Sequence, residues 1–218
     1  MAPIDPEKRE VTVGERRLGG FLRLPREARG LVVFAHGSGS SRFSPRNDFV
    51  ARELAKAGLA TLLFDLLTPE EAEDRRRVFD IPLLARRLLE AARWARGLPE
   101  LEGLPLGLFG ASTGAAAALV AAAEEPGEVA AVVSRGGRPD LAGAALARVE
   151  APTLLIVGGL DRVVIELNEL ARRQMHAPVE LRIVPGAGHL FEEPGTLEQV
   201  VDLARDWFLR WLPTATEG

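Results

Sequence analysis

Short, uninterrupted apolar runs recur along the sequence, and stretches with helical spacing separate them. An apolar run without polar alternation suits a strand that is buried on both faces, as in a parallel sheet. Strands that alternate with helices form right-handed βαβ units, so the sequence predicts an α/β fold with a mostly parallel, twisted sheet and helices on both faces. The predicted strands are residues 11–13, 20–24, 31–35, 60–65, 106–110, 129–133, 153–157 and 179–184. The first two have no helix between them and are expected to pair antiparallel.

Helix-start signals fall between these strands. Ser44-Pro45 fits an N-cap followed by the first helical residue, and Asp80 fits the N-cap of a long amphipathic helix. Thr196 and Gln199 match a capping box at the start of the last helix. The remaining predicted helices are residues 115–123, 140–147 and 164–175.

The composition fits one globular domain. The chain has 218 residues, of which 47% are hydrophobic, enough for one sizeable core. We therefore expect a single domain over residues 1–218, with an ordered core at about 9–212. The N-terminal segment has no apolar signal-peptide region, and no run approaches the roughly 18 apolar residues of a membrane span, so the expected location is cytoplasmic.

The side chains that are rare or absent exclude several functions. Cysteine is absent, which removes disulfides, thiolate metal sites and a cysteine nucleophile together. There are 3 histidines, so a histidine-rich metal site is not expected, and no metal or organic cofactor is implied. The net charge is -4, so no basic excess favours nucleic acid or an anionic membrane. A small-molecule substrate is the expected partner, and the oligomeric state is left open.

The segment Gly110-Ala111-Ser112-Thr113-Gly114 matches the pattern G-x-S-x-G. As a bare pentapeptide this pattern is weak, because glycine and serine are common. Here it follows an apolar strand and precedes a helix of small residues, which is the strand–elbow–helix setting of a serine nucleophile. The flanking glycines leave room for a strained turn and for close packing of strand and helix. The setting predicts Ser112 as the nucleophile, and a simple glycine-bounded turn is the alternative.

A serine hydroxyl needs a base to remove its proton. His189 follows the last predicted strand and is the histidine that fits the chain order serine, acid, histidine. Asp161 follows the strand at 153–157, at the same sheet edge as Ser112, and is predicted to hold the imidazole in one tautomer. Asp65 also ends a strand but precedes the serine, so chain order disfavours it.

The loop HGSGSS at residues 36–41 directly follows a predicted strand. A tetrahedral intermediate needs preorganised N–H donors at its oxyanion. One donor is expected from the backbone of Thr113, and the other from Ser38, with Gly39 as the second candidate. His36 is expected to brace the loop rather than to react. The alternative, a phosphate-binding loop, lacks the lysine-containing P-loop pattern.

Together the segments HGSGSS, GASTG, GGLDRVV and GAGHLFEEPG resemble the α/β-hydrolase superfamily in order and spacing, and in particular its small dienelactone-hydrolase-like members. The resemblance covers about residues 18–212. It implies Ser112, Asp161 and His189 as a catalytic triad, with the same two oxyanion donors. Dienelactone hydrolase itself uses a cysteine nucleophile where this chain has serine, which leaves dienelactone specificity open. Relatives of this kind also occur fused to phosphoribosyltransferase domains.

Arginine supplies all but two of the 27 basic residues, and several arginines fall in loops predicted at the catalytic edge of the sheet. A guanidinium group recognises carboxylate or phosphate bidentately, so these arginines could bind an anionic substrate. Ordinary surface charge is the alternative. Arg42, Arg135 and Arg138 are the predicted substrate-binding residues, and Arg46 and Arg162 lie in the same group of loops.

The predicted function is that of a serine hydrolase, of carboxylesterase or dienelactone-hydrolase-like type. It would cleave a carboxylic ester, thioester or lactone through an acyl-Ser112 intermediate. The connection between the strands at 129–133 and 153–157 is too short for a substantial lid domain, so an open site shaped by the polar loop 66–79 is expected. Two alternatives are an acyltransferase with the same triad and a non-catalytic partner module that keeps the fold.

Overall fold

Eight strands form one sheet in the computed structural model, which describes residues 6–212. The strands are β1 Lys8–Val13, β2 Leu18–Arg23, β3 Gly30–Ala35, β4 Leu59–Phe64, β5 Leu106–Ala111, β6 Val129–Arg135, β7 Thr153–Gly158 and β8 Val179–Val184. Their order across the sheet is β1-β2-β4-β3-β5-β6-β7-β8. β2 pairs antiparallel with both β1 and β4, and all other neighbours pair parallel. The predicted α/β class is confirmed, as is the antiparallel first pair.

Helices cover both faces of this sheet, as the alternation predicted. The α-helices of the described residues are α1 Pro45–Lys56, α2 Pro69–Ala72, α3 Arg75–Val78, α4 Ile81–Arg96, α5 Thr113–Glu124, α6 Arg162–Arg172 and α7 Thr196–Trp211, and 3₁₀ segments span Pro99–Leu101 and Pro139–Arg148. The core cluster on one face includes buried residues of α4, α5 and α6, and the cluster on the other face includes those of α1 and α7. The sheet is therefore the middle of three layers.

The predicted N-cap of α1 is confirmed, but the capping box predicted at the start of α7 is wrong. Ser44 is the N-cap of α1, and its hydroxyl accepts a hydrogen bond from the Asn47 N–H at 3.3 Å. At α7 the N-cap is Gly195, in a left-handed conformation with φ 78° and without a side-chain cap. The chain therefore enters the helix from a tight glycine turn, and Thr196 donates its hydroxyl backwards to the Glu193 carbonyl at 2.7 Å instead of forming a capping box.

The segment 66–79, predicted as a polar loop, contains the two short helices α2 and α3. Thr68 and Glu71 form a capping box at α2, and the Asp74 carboxylate accepts a hydrogen bond from the Arg76 N–H at 2.9 Å at the start of α3. Each helix has four residues, and neither buries a side chain. Helices of four residues are too short for apolar periodicity to indicate them.

The connection between β6 and β7 contains two short helical turns, separated by a kink at Gly143, and no large lid, as predicted. Among the described helices, none has the length and apolar character that a membrane span requires. The carboxyl ends of β3, β5, β6, β7 and β8 therefore meet at one accessible edge of the sheet.

An ion pair between a buried arginine and a partly buried glutamate joins the segment 66–79 to α4. The Arg87 side chain is 4% exposed and donates to both carboxylate oxygens of Glu71, at 3.0 and 2.8 Å. Arg77 donates to the same carboxylate at 2.9 Å. The hydrogen bonds from Arg87 lower the pKa of Glu71 to about 2. The ion pair fixes α2 beside the edge of the sheet where the loop after β3 emerges.

We expect Glu71→Gln to lower the free energy of unfolding at pH 7 by about 3 kcal/mol, because the buried Arg87 loses its charged partner. The depressed pKa of Glu71 means that its stabilisation is present above the ordinary carboxyl pKa of 4.5 and is lost as the pH falls towards about 2. The stability difference between variant and wild type, measured by urea unfolding, should shrink across that range. Glu70→Gln, at the exposed neighbouring position, is the control and should change stability by less than about 0.5 kcal/mol. A difference that does not vary with pH would contradict this role.

Candidate active site

Ser112 lies at the sharp turn between β5 and α5. Its backbone has φ 52° and ψ -123°, a conformation that non-glycine residues rarely adopt. Such a conformation costs about 1–3 kcal/mol and persists only where neighbouring contacts hold it. The Ser112 N–H donates to the Arg135 carbonyl at 3.3 Å, and the Ser112 carbonyl accepts from the N–H groups of Arg138 and Ala115 at 3.0 and 3.1 Å. The loop after β6 therefore holds the serine in place.

Asp161 and His189, predicted as acid and base, are in direct contact. Asp161 follows β7, and His189 lies in the loop after β8. The distance from Nδ1 of the imidazole to Oδ2 of the carboxylate is 2.6 Å. Asp161 is also the N-cap residue of α6, yet its side chain makes no capping hydrogen bond. An aspartate at an N-cap ordinarily binds the first turn of its helix, so this carboxylate is turned away from its helix towards the histidine.

The loop that carries His189 is held by contacts that the sequence did not indicate. The Glu193 carboxylate accepts a hydrogen bond from the Gly188 N–H at 3.0 Å. Phe191 is 2% exposed and has a positive φ of 53°, so its buried ring secures a strained turn two residues after the histidine. Glu193 follows His189 too closely in the chain to be the first choice for the orienting acid, and no local pattern indicates that its carboxylate binds the Gly188 N–H instead.

Ser112 and His189 line one cavity of about 300 Å³. The same cavity is bounded by the loop after β3, the start of α1 and the end of β6; its other lining residues are Gly37, Ser38, Ser40, Ser44, Arg46, Asn47, Ala111, Arg135, Gly136 and Leu190. The predicted nucleophile and base therefore face a common space that could hold a small substrate. Within residues 6–212, no group of three or more histidine, cysteine or acidic side chains is placed to hold a metal ion.

The loop after β3 packs against the serine turn, but one predicted donor is already engaged. A Cβ atom added to Gly37 would lie 3.1 Å from Cβ of Ser112, so the loop and the turn are in close contact. The Ser38 N–H, predicted as an oxyanion donor, donates to Oγ1 of Thr113 at 2.9 Å. Thr113 is the first residue of α5, so its own N–H has no acceptor within the helix. Gly39 has a positive φ of 71° in the tight turn of this loop.

His36 connects this loop to the segment after β4. Its Nδ1 lies 2.9 Å from the Gly37 carbonyl, and its Nε2 accepts a hydrogen bond from the Leu66 N–H at 3.1 Å. These partners require a neutral ring with its proton on Nδ1. Burial lowers the pKa of His36, in agreement with that state. These hydrogen bonds hold the loop after β3 against the segment after β4, so the role of His36 is structural.

The three predicted substrate-binding arginines have different surroundings in the structure. The Arg42 guanidinium pairs with Asp65 and lies 4.3 Å from the centre of the Phe43 ring, away from the cavity. Arg138 pairs with Asp140 at 2.8 Å, and this hydrogen-bonded pair raises the pKa of Arg138. Only Arg135 of the three lines the cavity. Arg42 and Arg138 each pair with a carboxylate, and neither lines the cavity at Ser112, so the structure does not bring them together with Arg135.

Two further residues line the cavity, and one of them, Arg46, belongs to the group of loop arginines that the sequence offered as possible anion ligands. Arg46 lies in the first turn of α1 and lines the cavity, and Asn47 follows it. The Asn47 side chain accepts a hydrogen bond from Nη2 of Arg135 at 2.9 Å. The sequence places Arg46 at the catalytic edge of the sheet, but no local pattern indicates the hydrogen bond between Asn47 and Arg135.

Comparison with known proteins agrees with this architecture. Residues 28–203 match the family model described as an alpha/beta hydrolase domain. The chain therefore belongs to the α/β-hydrolase family, and its resemblance to the dienelactone-hydrolase-like members is confirmed. Dienelactone hydrolase from Anabaena variabilis is 57% identical, with a TM-score of 0.90 over 96% of this chain and 100% of that one.

Two other relatives differ from this chain in other ways, one in sequence and one in length. Est1E from Butyrivibrio proteoclasticus is 17% identical, with a TM-score of 0.77 over 94% of this chain and 98% of that one, so it supports the fold alone. A Mycobacterium tuberculosis protein named as a putative phosphoribosyl transferase is 59% identical over 207 residues. That match covers 95% of this chain and 47% of the relative. The chain thus spans about half the length of the curated relatives it matches.

We expect Asp161→Asn to lower kcat for a 4-nitrophenyl ester by up to about 10⁴-fold, because the amide favours the unproductive imidazole tautomer. Steady-state kinetics of the folded variant, checked by circular dichroism, measure this loss. Asp65→Asn is the matched control, since Asp65 also follows a strand at this edge but pairs with Arg42. The control should retain activity within about tenfold. If the two variants lose activity equally, Asp161 does not have the orienting role.

Proposed function

We propose that the chain is a serine hydrolase that cleaves a carboxylic ester, thioester or lactone through an acyl-Ser112 intermediate. The observation that carries this proposal is the 2.6 Å contact between His189 and Asp161 beside a cavity that the strained Ser112 also lines. A nucleophile on an elbow, a histidine and an orienting carboxylate are the three parts that acyl transfer to serine requires. The name of the Anabaena variabilis relative supports ester or lactone chemistry.

In the proposed reaction, Nε2 of His189 takes the proton of the Ser112 hydroxyl while Oγ attacks the scissile carbonyl carbon. The carbonyl electron pair moves to oxygen. The tetrahedral intermediate then re-forms the carbonyl and expels an alkoxide or thiolate, which takes the proton from Nε2 and leaves as the alcohol or thiol. Water attacks the acyl-enzyme by the same route, and the acid is released as Ser112 is restored. Asp161 holds the Nδ1 proton throughout, so Nε2 is left unprotonated and can accept the proton of the serine.

The developing oxyanion needs N–H donors on the side opposite the base. The Thr113 amide is the first donor in the proposal, because it begins α5 and has no acceptor within the helix. The loop after β3 supplies the second donor. For Ser38 to act, its N–H must turn from the Thr113 hydroxyl, 2.9 Å away, to the substrate oxygen. Gly39 stays the second candidate in the same loop.

A neighbouring cavity suits an apolar part of the substrate. Its volume is about 370 Å³, and it shares the loop after β3 with the cavity at Ser112. Leu66, Leu67, Val78 and Leu84 contribute apolar walls to it, and Pro69 of α2 closes one side. We propose that this cavity receives the apolar acyl or alcohol portion of the ester, so the segment 66–79 would shape the substrate preference.

Acyl transfer to an acceptor other than water is the second candidate. It uses the same acyl-enzyme, and the 41% exposure of the His189 side chain leaves room for an acceptor to approach. Product analysis with added alcohols or amines separates the two outcomes. A non-catalytic partner module is disfavoured, because such a module has no need for a strained serine beside a histidine–carboxylate pair.

We expect treatment with a neutral fluorophosphonate to add one phosphonyl group to the wild-type chain, and Ser112→Ala to abolish the addition. Intact-mass spectrometry measures the product. His189→Ala should slow the labelling by about 10³-fold or more, because the hydroxyl loses its base. His176→Ala is the matched control at an exposed histidine and should be labelled at the wild-type rate. Labelling of Ser112→Ala at an undiminished rate would refute the proposed nucleophile.

A further inference from the structure

We propose that the cavity beside Ser112 binds an anionic group of the substrate, carboxylate or phosphate, through Arg135 and Arg46. This inference rests on the proposed hydrolysis at Ser112 and specifies its substrate class: small esters that carry an anionic group close to the scissile carbonyl. Three features of the described residues support it: a buried guanidinium without a carboxylate partner, a second guanidinium beside it, and a helix N-terminus at the same wall.

Arg135 is the strongest of these features. It is the last residue of β6, is 6% exposed, and lines the cavity with Ser112. Its Nη2 donates to the neutral Asn47 side chain, while its Nε is buried without an acceptor. Within residues 6–212, no carboxylate forms an ion pair with it. A buried charge without a counterion is unfavourable, and an anion in the cavity would supply both the missing charge and the missing acceptor.

Arg46 brings a second positive charge to the same cavity. Its Nε is also buried without an acceptor, and its Nη1 lies 3.6 Å from a carboxylate oxygen of Glu192, whose side chain is 69% exposed. An ion pair with so exposed a partner contributes little. Burial and then the charge of Arg46 lower the pKa of Arg135 to about 10, in agreement with a buried guanidinium that has a second positive charge nearby. An anion between the two guanidinium groups would relieve their repulsion.

The start of α1 faces this cavity through Ser44 and Asn47. A helix N-terminus carries a partial positive charge and favours an anion nearby. The helix has 12 residues, so its dipole is developed. It adds to the two arginines, and it also fixes the Asn47 side chain that orients Arg135.

The position of Arg135 in the sheet would place a bound anion close to the reacting carbonyl. Arg135 pairs with Ala111 in the register of β5 and β6, and the next residue of β5 leads directly to Ser112. The cavity volume of about 300 Å³ limits the ligand to a small molecule. The anionic group therefore lies within a few bonds of the ester that Ser112 attacks.

The test compares matched substrates in four proteins: wild type, Arg135→Gln, Arg46→Gln and Arg138→Gln. The acyl-side pair is mono-4-nitrophenyl glutarate and its methyl ester. The alcohol-side set is 3-acetoxybenzoate, its methyl ester and 3-acetoxyphenyl phosphate, so it separates carboxylate from phosphate. Arg138→Gln is the control, because its side chain pairs with Asp140 and does not line the cavity.

We expect Arg135→Gln to lower kcat/KM at least about tenfold for an anionic member and less than threefold for its neutral partner, since a charge-assisted contact is lost. Arg46→Gln should show the same selectivity to a smaller degree, and Arg138→Gln should show none. If Arg135→Gln does not fold, Arg46→Gln decides the question. Equal loss for charged and neutral partners, or no loss, would overturn the anion site.

Fluorophosphonate labelling keeps this result separate from the proposed function. Labelling of the wild type by the neutral probe tests the nucleophile without an anionic group, so a loss of activity confined to anionic esters concerns the anion site alone. If the wild type is not labelled, hydrolysis at Ser112 fails, and the anion site is then judged by thermal stabilisation with glutarate and with phenyl phosphate. Stabilisation of the wild type that Arg135→Gln abolishes would support the site, and its absence in the wild type would refute it.

Discussion

The close contact between the N-terminus of α5 and the end of β3 is the constraint on which the candidate site depends. A Cβ atom on Gly114 would collide with the Ala35 carbonyl oxygen, and one on Gly110 would collide with the backbone of Ala115. Only glycine at these two positions lets α5 leave β5 so abruptly. The abrupt turn forces Ser112 into its positive φ, and hydrogen bonds from the loop after β6 offset the strain. The same contact sets the loop after β3 against the serine.

Much of the fold and the central part of the site could be predicted from the sequence. Central strands such as β7 are continuous apolar runs, so their predicted and observed bounds agree within a residue or two. Ser112 stands in a motif with the right flanking elements. The chain order of Asp161 and His189 then places them at the same sheet edge, because parallel strands end together. These predictions depended on local pattern and on topology, which a single sequence contains.

The rest of the site depends on contacts that no local pattern contains. The hydrogen bond from Arg135 to Asn47 joins residues 88 positions apart, and the bond from the Arg42 N–H to Asp65 joins residues 23 apart. Arginines in similar loops therefore divide into those with a carboxylate partner and those without one. In a chain so rich in arginine, residue type carries little information about which arginine is free to bind a ligand. Whether an arginine is free to bind a ligand depends on which side chains surround it in the folded chain.

The short connection between β6 and β7 has a kinetic implication. Many enzymes must close a loop or domain over the substrate and open it again, and that motion often limits turnover. The 3₁₀ segment Pro139–Arg148 is packed on α5 and α6, and within residues 6–212 no large element is placed to swing across the cavity. A catalytic cycle at Ser112 would therefore have no gating step of that kind. Substrate and product would then exchange with solvent without waiting for a large element to move.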